Sequence, residues 1–192
     1  CKMPTQRQLT EFRQMLLTAK QDKNPCVKMG DYWLRRYRNE VFLTPDYQDI
    51  SRWKCDVLIH DSENHEDSIP GGPSYENTKI NKEYEFCLPD NAGIAVFQYT
   101  DENVSEATLL KIHASDKIDI RFHHNNPTCL PDYRNKKRPL RKLYQELNVP
   151  PWQRKRVPLL YINDEFAAAI GLFICKDFLS NKNLQGWQLT LK

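Results

Sequence analysis

Two apolar runs near the carboxyl end constrain the fold of this chain more strongly than any other feature. The runs Leu159 to Ile162 and Phe166 to Ile174 predict two hydrophobic strands. Between them, Asn163-Asp164 has the length and the residue types of a hairpin turn. We therefore expect a β-rich domain at this end of the chain.

Shorter patterns predict further strands upstream. From Lys117 to Phe122 apolar residues alternate with charged ones, which predicts a half-buried strand with Asp119 and Arg121 on its polar side. The segments Glu85 to Leu88 and Ile94 to Tyr99 are also strand-like, and a turn sequence separates them.

The first segment of the chain carries a helix signature. Thr5 and Gln8 form a capping box, and the apolar residues that follow recur at helical spacing. These apolar residues are Leu9, Phe12, Leu16 and Ala19.

A hairpin is predicted next. Its strands run from Tyr32 to Arg38 and from Val41 to Leu43, with Asn39-Glu40 as the loop. Three arginines lie on this hairpin, namely Arg35, Arg36 and Arg38. They are interpreted either as a solvated strand face or as an accessory contact to phosphate.

Together the patterns predict an α+β fold, in which a small, mainly helical N-terminal part precedes a β-rich C-terminal domain with one or two basic helices. A chain of 192 residues is long enough for one sizeable domain or two small ones. We expect a first part over residues 1–50 and a C-terminal domain over residues 117–192. Residues 51–116 form a connecting region that is β-rich and contains an acidic loop from Asp61 to Thr78.

Positive charge is concentrated in one short segment. The chain as a whole has a net charge of only +3, but residues 134–156 hold nine Lys or Arg and a single acid, Glu146. Such density predicts an anionic partner. The predicted binding residues are Arg134, Lys136, Lys137, Arg138, Arg141, Lys142, Arg154, Lys155 and Arg156.

This basic segment also carries helix patterns. Leu140, Leu143, Tyr144 and Leu147 form an apolar stripe with helical spacing, and Pro139 suits the first turn. A second short helix is predicted from Pro151, through Trp152 and Arg154. Aromatic rings beside basic groups are typical of RNA contacts, although Tyr144 and Trp152 are expected to lie in the core.

Catalytic and metal-site signatures are missing from the sequence. The six cysteines form no C-x-x-C pair and are predicted to be reduced, partly buried thiols of a cytoplasmic protein. The adjacent His123 and His124 point to opposite faces of a strand and are not expected to bind one metal. No apolar run reaches the length of a membrane span.

Two blocks of sequence resemble one known family. The run RPLRKLYQELNVPPWQRKRVPLLYINDEFAAAIGLFI, from Arg138 to Ile174, resembles the C-terminal domain of bacterial tRNA(Ile)-lysidine synthase. The second block consists of MPTQRQLTEF, from Met3 to Phe12, followed by NPCVKMGDYWLRRYRNEVFL, from Asn24 to Leu43. It is similar to the central substrate-binding domain of that family and the strand after it.

The resemblance implies a ligase that attaches lysine to the wobble cytidine of the isoleucine tRNA with a CAU anticodon, using ATP with Mg. In the family this chemistry lies in an N-terminal ATP-pyrophosphatase domain with an S-G-G-x-D-S loop, whereas this sequence has only Gly71-Gly72. The chain is therefore expected to bind tRNA, to hold no cofactor of its own and to be inactive without that N-terminal domain.

A second function remains open from the residues. The basic segment could instead meet an acidic protein partner, or the acidic loop of a second copy in a homodimer. The chain would then be a non-catalytic interaction or dimerisation module.

Overall fold

The computed structural model describes residues 5–18, 24–59, 83–100, 108–113, 115–180 and 186–192. The chain forms two compact units, Cys1–Asp49 and Ile50–Lys192. The predicted acidic loop from Asp61 to Thr78 lies outside the described residues. Neither described helix has the length and apolar character that crossing a membrane requires.

The first unit combines one helix with an antiparallel sheet. Helix α1 spans Gln6–Thr18, and the sheet has the order β1-β2-β3, with β1 at Cys26–Met29, β2 at Tyr32–Tyr37 and β3 at Glu40–Pro45. The predicted capping box is confirmed, since the backbone N–H of Thr5 donates to the Gln8 side chain at 3.0 Å and that of Gln8 donates to Thr5 Oγ1 at 3.3 Å.

Two predictions for this unit are corrected. It is not mainly helical, because three strands follow its one described helix. The hairpin is present, but its loop is Arg38-Asn39 and not Asn39-Glu40. Arg38 takes a left-handed backbone conformation with φ of 54°, and Glu40 is already paired with Tyr37 as the first residue of β3.

The second unit is rich in short strands and contains one α-helix, α2, at Leu140–Glu146. Its strands are β4 (Lys54–Val57), β5 (Glu83–Cys87), β6 (Ile94–Thr100), β7 (Ile118–Arg121), β8 (Thr128–Cys129), β9 (Arg138–Pro139), β10 (Leu159–Ile162), β11 (Glu165–Ala169), β12 (Phe173–Ile174) and β13 (Gly186–Leu191). Two 3-10 turns, Pro89–Asn91 and Lys176–Phe178, complete the described elements.

This unit has three layers, namely two antiparallel sheets and helix α2. A five-stranded antiparallel sheet has the order β12-β11-β10-β7-β4, and a three-stranded antiparallel sheet has the order β13-β6-β5. Leu160 and Ile162 on β10 pack in one core with Phe97 and Trp187 of the three-stranded sheet. The alternate residues, Leu159 and Tyr161, pack with α2 in a second core.

Helix α2 forms where its apolar stripe predicts it. Leu140, Leu143 and Tyr144 are buried against the sheet. Pro139 precedes the helix as its N-cap residue, and Asn148 ends it in a left-handed conformation with φ of 59°. The helix therefore turns its remaining residues, including Arg141 and Lys142, toward solvent.

The hydrophobic strand pair is confirmed, with one interruption. Asn163 and Asp164 both have positive φ, as a two-residue turn between twisted strands requires. The second run is divided into β11 and β12 by a turn that contains Gly171. The second short helix predicted from Pro151 is instead a series of turns.

The prediction that the polar side of β7 faces solvent is wrong at Asp119. The carboxylate is almost completely buried, and it accepts hydrogen bonds from the Arg121 guanidinium at 2.7 and 3.1 Å. Lys54 Nζ lies 3.2 Å away, and its contact with Asp119 raises the pKa of Lys54. Because β7 lies between β10 and β4, side chains from both neighbours cover this face.

Candidate nucleic-acid interface

The basic segment, residues 134–156, surrounds helix α2. It starts in the loop before β9, passes through β9 and the helix, and ends in the turns before β10. The structure places its nine cations in three different environments, which distinguishes side chains that can meet a ligand from those engaged within the protein.

Five exposed cations of the segment make no ion pair with any residue that the structure describes. These are Lys136, Lys137, Arg141, Lys142 and Lys155. Arg141 and Lys142 project from α2, and Lys136 and Lys137 lie shortly before it. Their charges are thus available to phosphate groups in solvent.

Two further cations share one acid. Glu146, at the end of α2, accepts a hydrogen bond from Arg134 and has Arg138 Nε at 3.8 Å. Because the carboxylate offsets part of their charge, Arg134 and Arg138 contribute less free positive charge than those five cations.

The last two arginines are engaged within the protein. Arg154 Nε donates to the carbonyl oxygen of Val149 at 2.9 Å. Arg156 has only 9% of its side chain exposed and pairs with the carboxylate of Asp90 at 2.6 Å. It also donates to the backbone carbonyl of Asp90. These contacts hold the turns after α2 to their surroundings.

A loop before the helix positions its first turn. The side-chain oxygen of Asn126 accepts from the backbone N–H of Arg141 at 2.9 Å, and the backbone N–H of Asn126 donates to His124 Nδ1 at 3.0 Å. Burial, followed by the nearby charge of Arg141, lowers the pKa of His124. The imidazole is therefore neutral at pH 7, as an acceptor nitrogen must be.

The aromatic residues beside the segment differ in exposure. Tyr144 is buried, as predicted, and Trp152 is half-buried. Tyr133 has 48% of its surface exposed and meets Phe173 edge to face, with ring centroids 6.3 Å apart. Tyr133 is thus the one of these three with a ring accessible to an unpaired base.

Sequence reasoning missed the partners of three acids, namely Asp90, Asp119 and Glu146. Asp90 pairs with Arg156 across 66 positions of sequence, and no local pattern indicates such a contact. The alternation of apolar and charged residues placed Asp119 on the solvent-facing side of its strand, whereas the structure buries it. The position of Glu146, as the one acid of the segment, was visible, but its two partners were not.

Two kinds of ligand-binding pattern are not found among the described residues. Neither described helix follows a glycine-rich loop of the kind that cradles a nucleoside triphosphate. Within the described ranges, no group of three or more His, Cys, Asp or Glu is arranged to hold a metal ion.

Two family models match the chain. The TilS substrate binding domain matches residues 1–42, and the TilS substrate C-terminal domain matches residues 118–191, which together are more than half of the chain.

Individual relatives agree with these matches. A tRNA(Ile)-lysidine synthase of Serratia proteamaculans is 27% identical over 187 residues, covering 97% of this chain and 36% of the relative. The protein of the same name from Photobacterium profundum is 30% identical over 180 residues, covering 92% of this chain and 34% of the relative. One from Histophilus somni is 29% identical over 175 residues, covering 89% and 35%. The chain spans about a third of the length of the curated relatives it matches.

Proposed function

The chain belongs to the tRNA(Ile)-lysidine synthase family through its substrate-binding and C-terminal domains, and we propose that it is the tRNA-recognition portion of such an enzyme. The proposed reaction of the whole enzyme joins lysine to the wobble cytidine of the isoleucine tRNA with a CAU anticodon, at the expense of ATP with magnesium. The proposed catalytic domain lies in the part of the relatives that this chain does not span.

The exposed cations around α2 are the observation that carries the proposal. Lys136, Lys137, Arg141, Lys142 and Lys155 present positive charge on one segment, and the buried stripe of α2 packs that segment against the five-stranded sheet. Lys and Arg side chains neutralise phosphates and release condensed counterions, which supplies most sequence-independent affinity for nucleic acid.

The remaining four cations of the predicted site are proposed to have other roles. Arg134 and Arg138 make weaker phosphate contacts because they share Glu146. Arg154 and Arg156 stabilise the turns that carry Lys155. Direct tRNA contact by all nine residues stays a prediction.

Salt dependence of tRNA binding tests the interface. Five phosphate contacts predict that the logarithm of the association constant falls against the logarithm of salt concentration with a slope of about −3.5 to −4.5. The triple variant Lys137→Glu, Arg141→Glu, Lys142→Glu should flatten this slope by about 2 to 3 and weaken binding more than about tenfold.

A matched control separates a specific surface from total charge. Arg52, Lys111 and Lys117 are exposed cations of the same unit outside the basic segment, and their reversal to Glu changes net charge equally. This control should bind tRNA nearly as the wild type does. Unchanged affinity of the first triple variant would contradict the proposal. Self-association through this surface without RNA binding would instead favour the dimerisation alternative.

Incubation with ATP, lysine and tRNA tests the proposed division of labour. The chain alone should form no lysidine, and adding a catalytic N-terminal domain of the family should restore the product. Lysidine formed by the chain alone would contradict the assignment of catalysis to another domain.

A further inference from the structure

A second surface with nucleic-acid chemistry lies in the first unit, away from the basic segment in sequence. Cross-strand partners in an antiparallel sheet point to the same side. The register pairs Lys28 with Trp33 and Arg35 with Phe42. Together with Tyr37, two residues further along β2, these side chains lie on one side of the sheet, which we call the aromatic-basic face.

The opposite side of the sheet is apolar and meets the helix. Val27, Leu34 and Leu43 occupy one cross-strand row there. Arg36 shares this side and donates to the Leu16 carbonyl of α1 at 3.3 Å. Helix α1 therefore packs on the side away from the aromatic-basic face, and Arg36 differs in role from Arg35.

Cations lie beside the rings of the aromatic-basic face. The Arg35 guanidinium lies 5.0 Å from the ring centroid of Trp33, and Lys28 Nζ lies 5.6 Å from it. In the adjoining turn, the Arg38 guanidinium is 5.8 Å from the ring of Tyr37. These distances are typical of cation–π contact.

Hydrogen bonds fix the orientation of the central pair. Trp33 Nε1 donates to Asp46 at 2.9 Å, and Arg35 Nε donates to Thr44 Oγ1 at 2.9 Å. Lys28 and Trp33 together lower the pKa of Asp46, so this acceptor stays ionised near neutral pH. A ring and a guanidinium held in this way need little further ordering when a planar ligand stacks on them.

The composition of the face selects its ligand. Trp33, Tyr37 and Phe42 are all half-buried, so part of each ring surface is open to solvent. Unpaired bases stack on aromatic rings and on guanidinium planes, while neighbouring cations bind the phosphates that link those bases. Paired bases are already stacked within a duplex and cannot use such a platform.

We propose that the aromatic-basic face binds unpaired nucleotides of RNA by stacking. The proposal rests on the proposed function, because it assigns the unpaired part of the same tRNA substrate to the first unit. The basic segment of the second unit then contacts phosphates without regard to pairing. The two surfaces thus differ in the form of RNA they recognise.

The full chain tests the proposal with two RNA probes, a short oligouridylate and a blunt RNA duplex of matched charge. Trp33→Ala should weaken oligouridylate binding about tenfold and leave duplex binding nearly unchanged. The triple variant Lys137→Glu, Arg141→Glu, Lys142→Glu should lose more affinity for the duplex than for oligouridylate. A Val41→Thr, Leu43→Thr variant, altered on the opposite side of the sheet, is the matched control and should bind both probes normally.

Tryptophan fluorescence supplies a readout that a folding defect cannot imitate. Stacking of a base on Trp33 should quench its emission, and Trp33→Phe should lose that quenching while keeping most of the affinity for oligouridylate. Wild-type affinity in Trp33→Ala, or quenching that persists in Trp33→Phe, would overturn the proposal. Failure of the basic-segment variants alone would overturn the proposed function and leave the stacking face standing.

Discussion

Arginine and lysine side chains in the basic segment have two roles. Exposed side chains can contact a ligand, and buried ones stabilise the fold. Arg156 is nearly enclosed and pairs with Asp90, whereas its neighbour Lys155 is exposed. A buried charge is already without its hydration, so removing its partner leaves it uncompensated. The loss of folding stability is therefore far larger than for an exposed charge.

Replacing Arg156 by Met should destabilise the protein by about 3–5 kcal/mol, because the Asp90 carboxylate is left without its guanidinium. Lys155→Met, one position away, should change the free energy of unfolding by less than about 0.5 kcal/mol. Urea unfolding of the full chain measures both. Equal free energies of unfolding for the two variants would show that the Arg156–Asp90 ion pair does not stabilise the fold.

His124 should make stability depend on pH. Burial lowers its pKa in the folded state, so the unfolded state binds the proton more tightly. The stabilising contribution is complete above the unfolded pKa of about 6.5 and is lost as pH falls through the folded value. Urea midpoints at several pH values should therefore decrease below pH about 6.5.

The adjacent histidine supplies the control for this pH dependence. His124→Gln should flatten the decrease below about pH 6.5, whereas His123→Gln should keep it, because His123 is exposed. A decrease that is equally steep in both variants would assign it to other groups.

At the scale of elements, a glycine allows two strands to approach closely. The backbone N–H of Ile94 donates to the Lys192 carbonyl and that of Lys192 donates to the Ile94 carbonyl, each at 2.9 Å, so the end of β13 closes on the start of β6. Gly93 allows this approach. Its φ is 115°, and a Cβ there would lie 2.8 Å from the Lys192 carbonyl oxygen.

Gly93→Ala should therefore cost about 2–4 kcal/mol, from backbone strain together with the steric conflict. Gly30 also has a positive φ, of 62°, but no atom lies within 4 Å of the position that a Cβ would take. Gly30→Ala should cost only about 1 kcal/mol. Thermal unfolding followed by circular dichroism compares them, and a larger loss for Gly30→Ala would refute this explanation.

At the scale of the whole molecule, the second unit buries a large set of its own side chains. The second unit has one core between its two sheets and another under α2. A polypeptide of residues 50–192 should accordingly fold by itself, since a chain of this size can bury enough apolar surface. Cooperative thermal unfolding of that fragment is the expected result, and a gradual, non-cooperative signal would contradict it.

Local patterns were sufficient for the elements whose stabilising contacts are also local. The Thr5–Gln8 capping box, the stripe of α2 and the Asn163-Asp164 turn each depend on residues a few positions apart, and all three are present. The helix expected after Pro151 and the loop at Asn39-Glu40 were wrong because several local conformations compete there and neighbouring structure selects one.

What the sequence alone determined is the α+β class, most of the regular elements and the position of the charge. Those properties follow from periodicity and from formal charge, which act within a few residues. Only the tertiary structure decided that Asp119 is buried, that Arg156 pairs with Asp90, and that Arg36 contacts the Leu16 carbonyl of α1. Burial and ion pairing depend on neighbours that the chain brings together from distant positions, so no local pattern contains them.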